Sequence, residues 1–227
     1  MIDPRIIVAI DTFDLQKANS ILDQLDPKLC KIKIGSIVFN ALGKSFLHEV
    51  FQRGFKIFLD LKLHDIPNTV HETILGFHDC DIDMLTVHLS GGEEMLKKAM
   101  LAAQIIKTQL IGVSVLTSLD ESDSLTLFNN RLNDQIVNLF KLAKKTNIDG
   151  IVCSPLELEV ANTILDAHSI KVTPGIRDIS VDDDQARTTS AKAAIKKGAT
   201  FLVIGRPITQ ANDAALALKS FYKSIYE

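Results

Sequence analysis

The chain contains no run of 18 or more uninterrupted apolar residues, so no segment reads as a membrane span. Its start, Met1-Ile-Asp-Pro-Arg5, lacks the basic, apolar and cleavage regions of a signal peptide, and the expectation is a cytoplasmic protein that does not engage a membrane. Cysteine is scarce. Cys30, Cys80 and Cys153 are odd in number, far apart and never in a Cys-x-x-Cys pair, which argues against a disulfide framework and against a zinc site. A formal net charge of -3 and a pI near 6.1 leave no basic excess to argue for nucleic acid. Neither Gly-x-Gly-x-x-Gly nor Gly-x-x-x-x-Gly-Lys-Ser/Thr occurs, which removes the main reason to expect an open nucleotide-binding sheet. Tryptophan is absent, without functional consequence.

What is present is an ordinary globular balance, 46% hydrophobic and 23% charged over 227 residues, enough to bury one core. A single domain over 1–227 is expected, with no linker, repeat or low-complexity tract to divide it. Short β-branched runs alternate with segments of helical spacing. The strand candidates are Arg5 to Ile10, Leu29 to Ile34, Lys56 to Leu61, Met84 to His88, Leu110 to Leu116, Gly150 to Cys153, Ile170 to Thr173 and Phe201 to Ile204. The helix candidates are Leu15 to Leu25, Ser45 to Arg53, Thr69 to Phe77, Glu93 to Thr108, Asp134 to Thr146, Pro155 to Ala167, Ala186 to Lys197 and Ala214 to Tyr226. Eight strand-helix units predict an α/β fold that closes as a (β/α)8 TIM barrel, with an open doubly wound sheet as the alternative. Two long loops, Ser118 to Asn133 and Gly175 to Arg187, fall on the same face.

Chemistry in such a barrel sits at the C-terminal strand ends. There the chain places Asp11, Lys33, Asp60 with Lys62, His88, Thr117, Pro174-Gly175 and Gly205-Arg206. Asp60 and Lys62 are two apart and would leave the same face of an extended strand, with Leu59, Leu61 and Leu63 on the other. Asp65 follows where that strand should break, and Pro67-Asn68 reads as the opening of a helix. Taken alone, the segment fits a salt-bridged strand terminus equally well. Gly205-Arg206 suits an anion, since a glycine lets backbone N–H groups approach a phosphate that an arginine can clamp. His71 and His78 are at no close metal-ligand spacing, His48 and His168 look solvated, and His64 reads as outward-pointing, so no metal site is predicted.

The segment Asp60-Leu-Lys-Leu-His-Asp-Ile-Pro-Asn-Thr69 closely resembles the signature of the orotidine 5'-phosphate decarboxylase family. Ala9-Ile-Asp11, Lys31-Ile-Lys-Ile-Gly35, Val87-His-Leu-Ser-Gly-Gly92, Val115-Leu-Thr-Ser118, Val172-Thr-Pro-Gly-Ile-Arg177 and Val203-Ile-Gly-Arg-Pro207 join it in the family's order, over nearly the whole chain. The resemblance implies a cofactor-free carboxy-lyase that turns orotidine monophosphate into uridine monophosphate in pyrimidine synthesis, and a homodimer. It implies catalytic roles for Lys62, Asp60 and Lys33, joined by Asp65 of the partner subunit. It assigns Asp11 and Lys33 to the ribose hydroxyls, with Thr69 of the partner subunit in the same neighbourhood, and it counts Asp60 and Ile66 of the partner subunit among the substrate-binding residues. Thr117 is assigned to the pyrimidine edge, and Gln185, Gly205 and Arg206 to the phosphate. Arg177 opens the loop that would close over it.

Two rivals remain at this stage. One is a magnesium-dependent sugar-phosphate decarboxylase of the related barrels, such as 3-keto-gulonate 6-phosphate decarboxylase, against which the His64-Asp-Ile-Pro-Asn-Thr69 continuation argues. The other is a non-catalytic phosphate-binding barrel, against which the presence of Lys33, Asp60, Lys62 and Asp65 together argues.

Overall fold

A computed structural model describes residues 3–176 and 189–226. Its strands are β1 (Ile6–Ile10), β2 (Cys30–Gly35), β3 (Ile57–Leu63), β4 (Met84–His88), β5 (Gln109–Val113), β6 (Gly150–Val152), β7 (Ile170–Thr173) and β8 (Phe201–Ile204). They pair in parallel in chain order, and β8 closes on β1. The helices among the described residues are α1 (Leu15–Leu22), α2 (Ser36–Gln52), α3 (Pro67–Leu75), α4 (Gly92–Ile106), α5 (Glu121–Phe128), α6 (Leu132–Lys145), α7 (Leu158–Ile164), α8 (Ala191–Lys196), α9 (Arg206–Thr209) and α10 (Ala214–Tyr226). The closed (β/α)8 barrel replaces the open-sheet alternative. None of the described helices is long and apolar enough to cross a membrane.

Side-chain alternation divides the core in two. One set of strand residues faces the surrounding helices, while Ile7, Phe58, Met84, Ile111, Val172 and Phe201 fill the barrel interior. Two residues further along the same inward faces lie Ala9, Asp60, Thr86 and Val203, and two further again Asp11, Lys62, His88 and Gly205. The inner face thus passes from an apolar plug to a polar mouth within four residues of each of these strands. This step, set by the period of two in a strand, is what gathers the polar side chains.

The opposite, N-terminal end of the barrel is held by a buried charge. Lys31 is 1% exposed, with Nζ 2.6 Å from Asp83, 2.8 Å from Asp3 and 4.2 Å above the Phe201 ring. Burial tends to raise the Asp3 carboxyl, but hydrogen bonds from Lys31 and Lys56 outweigh it and hold the group below its ordinary value. Lys31→Ala leaves these acids with Lys56 alone and should cost about 3 kcal/mol, the lower end for a broken buried pair because both acids are partly wet and keep that second lysine. Urea unfolding should show a lower midpoint at unchanged slope, with kcat retained in native buffer. An unchanged midpoint would contradict this reading of the barrel floor.

Four boundaries differ from the sequence expectations. The helix expected at Ser45 begins at Ser36 and is kinked at Gly43, whose φ of 64° and ψ of -162° interrupt the helical backbone. The polar stretch 118–133 is not all loop, since α5 forms within it behind a capping box in which Asp120 and Asp123 accept each other's backbone N–H. β5 ends at Val113 rather than Leu116, because its neighbour β6 ends at the paired Val152. The short α9 after β8 was not anticipated.

Candidate active site

The mouth of the barrel carries a chain of alternating charges. Lys33 Nζ lies 3.3 Å from Asp11 Oδ1 and 3.6 Å from Asp60 Oδ2, and Lys62 Nζ donates to Asp60 Oδ1 at 2.8 Å. Asp60 is the hub. Its side chain is only 12% exposed and lies between two ammonium groups, whereas the Lys62 side chain is 35% exposed and reaches the cavity. The four charges sum to zero, and the Lys62 ammonium, whose one carboxylate partner among the described residues is Asp60, is the positive end of the chain that reaches the cavity, where an anionic group would be attracted.

Lys62 does not sit on a regular strand as the two-residue spacing suggested. Its φ is 52°, in the left-handed region, and the β3–β4 register slips between Leu59 and Leu63. The Lys62 N–H leaves the ladder and donates to Thr86 Oγ1 at 2.8 Å, and Thr86 Oγ1 lies 3.1 Å from Asp60 Oδ1. Lys62 and Asp60 therefore meet through a bulge, not through simple alternation. Thr86 escaped the sequence reading, although it stands two residues before His88 in an otherwise apolar strand and so shares its inward face.

Asp65, Ile66 and Thr69 behave differently. All three are exposed, Asp65 and Ile66 on the link from β3 into α3 and Thr69 in the first turn of α3, which Pro67 opens. The Asp65 carboxylate accepts its neighbour's Ile66 N–H at 2.6 Å, and no ion pair joins it to Lys62 of its own chain. Ile66 is 67% exposed, unusual for an isoleucine on a polar rim. The expected meeting of Asp60, Lys62 and Asp65 at one strand end therefore does not occur within a single chain.

Across the mouth, Gly205 ends β8 and caps α9, which begins at Arg206. The Arg206 guanidinium is exposed and has no carboxylate partner among the described residues. A pocket of about 160 Å³ is lined by Lys33, Asp60, Lys62 and Thr117. It shares Thr117 and Pro174 with a larger cavity of about 690 Å³ that extends to Arg206. The charged groups mark the smaller one as the place for chemistry, and the larger offers room for the rest of a ligand. Arg177 and Gln185 lie outside the described residues.

Gly35 lies close to the site: a Cβ there would stand 3.2 Å from Lys33 Nζ, so the ammonium that bridges Asp11 and Asp60 would have to give by a few tenths of an ångström.

The histidines play secondary parts. His88, at the end of β4, is half-buried, and its ring lies 5.4 Å from that of His64. Burial, then the neighbouring His64 and the Lys62 ammonium, lower its pKa against the pull of Asp60, so it stays neutral beside the site. His64 is exposed, as expected, but it leans on His88 rather than projecting freely. His48, Asp79 and Cys80 bring potential ligand atoms within 4.8 Å of one another at the other end of the barrel. There the Lys44 ammonium already holds Asp79 at 2.7 Å and burial pushes the Cys80 thiol up to about 11, so the group reads as an ion-paired helix end.

Comparison with known proteins agrees with this geometry. The model of the orotidine 5'-phosphate decarboxylase / HUMPS family matches residues 4–221. An orotidine 5'-phosphate decarboxylase of Coxiella burnetii (strain RSA 331 / Henzerling II) is 42% identical over 230 aligned residues, covering 98% of this chain and 97% of that protein. Another, of Actinobacillus succinogenes, is 40% identical over 228 aligned residues, covering 98% of each. Among solved structures, the orotidine 5'-phosphate decarboxylase of Lactobacillus acidophilus gives a TM-score of 0.87 at 33% identity, covering 99% of this chain and 100% of that one. An uncharacterized conserved protein of Geobacillus kaustophilus gives 0.85 at 27% identity, covering 97% and 99%.

Proposed function

The chain belongs to the orotidine 5'-phosphate decarboxylase / HUMPS family, its activity is the decarboxylation of orotidine monophosphate in pyrimidine synthesis, and we propose that Lys62 carries the chemical step. The observation that supports this role is the Lys62 ammonium, held 2.8 Å from the largely buried Asp60 and reaching the pocket that Lys33 and Thr117 also line.

Loss of carbon dioxide from C6 breaks the bond to the carboxylate and leaves its electron pair on C6. That pair lies in the ring plane, where the ring π system cannot delocalise it. The stabilisation must therefore come from outside the ring. The Lys62 ammonium supplies a positive charge at the developing carbanion and then gives C6 its proton, taking another from water afterwards. Asp60 holds the Lys62 ammonium by direct contact, and Lys33 fixes the far oxygen of Asp60 so that the carboxylate does not wander.

The remaining contacts follow from position. Asp11 and Lys33 bind the ribose hydroxyls at the rim, Thr117 meets the pyrimidine edge, and Gly205 with Arg206 holds the phosphate across the mouth. The resemblance assigns Gln185 to the phosphate and Arg177 to the opening of the loop over it; both lie outside the described residues. Binding energy gathered at the phosphate holds the ring against Lys62 and so serves the reaction at a distance.

The site is completed in a homodimer, with Asp65, Ile66 and Thr69 reaching the neighbouring mouth. This is supported by their exposure, by the separation of Asp65 from Lys62 in its own chain, and by the apolar Ile66 left on a polar rim.

The chemistry requires no metal. A chelator-treated sample should consume orotidine monophosphate at the untreated rate and leave a six-carbon keto-acid phosphate untouched, followed by loss of substrate absorbance and by carbon dioxide release. Activity on the sugar phosphate that returns only with magnesium would instead favour the related decarboxylase.

A further inference from the structure

Lys62 stands in a backbone conformation that lysine seldom adopts, and one side chain holds it there. At a φ of 52° its N–H is turned out of the β3–β4 ladder, at the register slip between Leu59 and Leu63. The group that receives it is the hydroxyl of Thr86 at 2.8 Å, on the adjacent strand and with no exposed surface. A threonine oxygen that accepts a hydrogen bond still has its own proton to give. Asp60 Oδ1 lies 3.1 Å away to take it, and this is the oxygen that also receives Lys62 Nζ at 2.8 Å.

We infer that Thr86 is a positioning residue for the decarboxylation: one buried hydroxyl fixes both the left-handed turn that aims the Lys62 ammonium and the carboxylate that steadies it. The inference rests on the role proposed above for Lys62. Thr86 has no exposed surface and does not line the charged pocket, so its effect passes through the lysine and the aspartate. Without the hydroxyl, the Lys62 N–H has no partner in the bulge, the segment is free to return toward an extended strand, and Asp60 loses one of its two donors. The ammonium then shifts relative to C6, while the ribose and phosphate contacts stay in place.

The test compares three variants. Thr86→Val keeps the shape and removes the hydroxyl, Thr86→Ala removes it without adding a methyl, and Thr86→Ser keeps it. Each is measured for kcat and KM with orotidine monophosphate and for affinity toward uridine monophosphate. The valine and alanine variants should lose about a hundredfold in kcat with KM and product affinity within about threefold, the pattern of a misplaced reacting group rather than a damaged pocket. Serine should restore kcat to within about threefold of the parent on the same scale of error. If the valine variant does not fold, the alanine variant decides.

Wild-type kcat in a folded variant without the hydroxyl would overturn the inference. So would a serine variant as impaired as the alanine one, or losses shared equally by kcat and product affinity. An unmodified protein that does not decarboxylate orotidine monophosphate would overturn the functional reading itself. An active parent with a fully active Thr86→Val overturns only the positioning role.

Discussion

Lys62→Ala should lower kcat for orotidine monophosphate by at least about 10⁴-fold, with uridine monophosphate still bound within about tenfold of the parent affinity. The size follows from combining two losses. A positioned proton donor contributes typically 10²–10⁴-fold, and a preorganised charge at the developing anion about 10²–10³-fold, so removing both takes away their product. A factor of 10⁴ is about 5.4 kcal/mol of barrier. The product lacks the carboxylate and, on the contacts proposed above, is held at ribose and phosphate through Asp11, Lys33, Gly205 and Arg206, so it should still bind. A stopped-flow or steady-state assay beside calorimetric titration separates the two quantities. Activity within tenfold of the parent would remove Lys62 as proton donor, and a parallel collapse of product binding would mean that the variant lost the pocket rather than the chemistry.

Asp65→Ala should also be severely impaired, by about 10²–10³-fold in kcat, although Asp65 touches nothing in its own active site. The reason is symmetry. In a two-fold dimer each subunit gives the other what it receives, so an acid on the β3–α3 link can serve the neighbouring mouth. Mixing Lys62→Ala with Asp65→Ala subunits then builds a site with the lysine of one chain and the acid of the other. With random exchange half the dimers are mixed and each has one intact site of two, so the mixture should recover about a quarter of the parent activity per subunit. Recovery should track the extent of exchange, measured by mass spectrometry of the intact dimer. Complete exchange without recovery would mean that Asp65 acts within its own chain, and a monomeric protein would remove the shared site altogether.

The barrel was readable in the sequence because each strand is a short apolar run cut off by a helix with its own spacing, and closure follows from their number. Where the helix boundaries were missed, local signals conflicted. Ser36–Leu42 contains Ile37, Val38 and Phe39 and ends at Gly43, a composition that speaks for strand and turn, yet packing against the barrel makes it helix. In α5 the signal was present, since Asp120 and Asp123 have capping-box spacing, but Asn129-Asn130 and the polar surroundings masked it.

At the site, Asp11, Lys33, Asp60 and Lys62 could be placed from strand ends alone: inward alternation carries Asp11, Lys33 and Asp60 to the mouth, and Lys62 arrives there through the bulge. Two features could not. The left-handed turn at Lys62 has no signature in a pattern of period two, since it breaks that period while keeping the pair together. The separation of Asp65 depends on a loop's direction, which proximity in sequence obscures. Family resemblance supplied the proposed division of labour for Asp65, and what the structure adds is only that Ile66 and Thr69 are exposed.

The most direct measurement is the fate of C6 when chelator-treated protein turns over orotidine monophosphate in deuterium oxide, followed by nuclear magnetic resonance. The account predicts one carbon dioxide per uridine monophosphate formed, with a single deuteron at C6 and none at C5, at a rate indifferent to added magnesium. Deuterium at C5, or turnover that requires the metal, would contradict it.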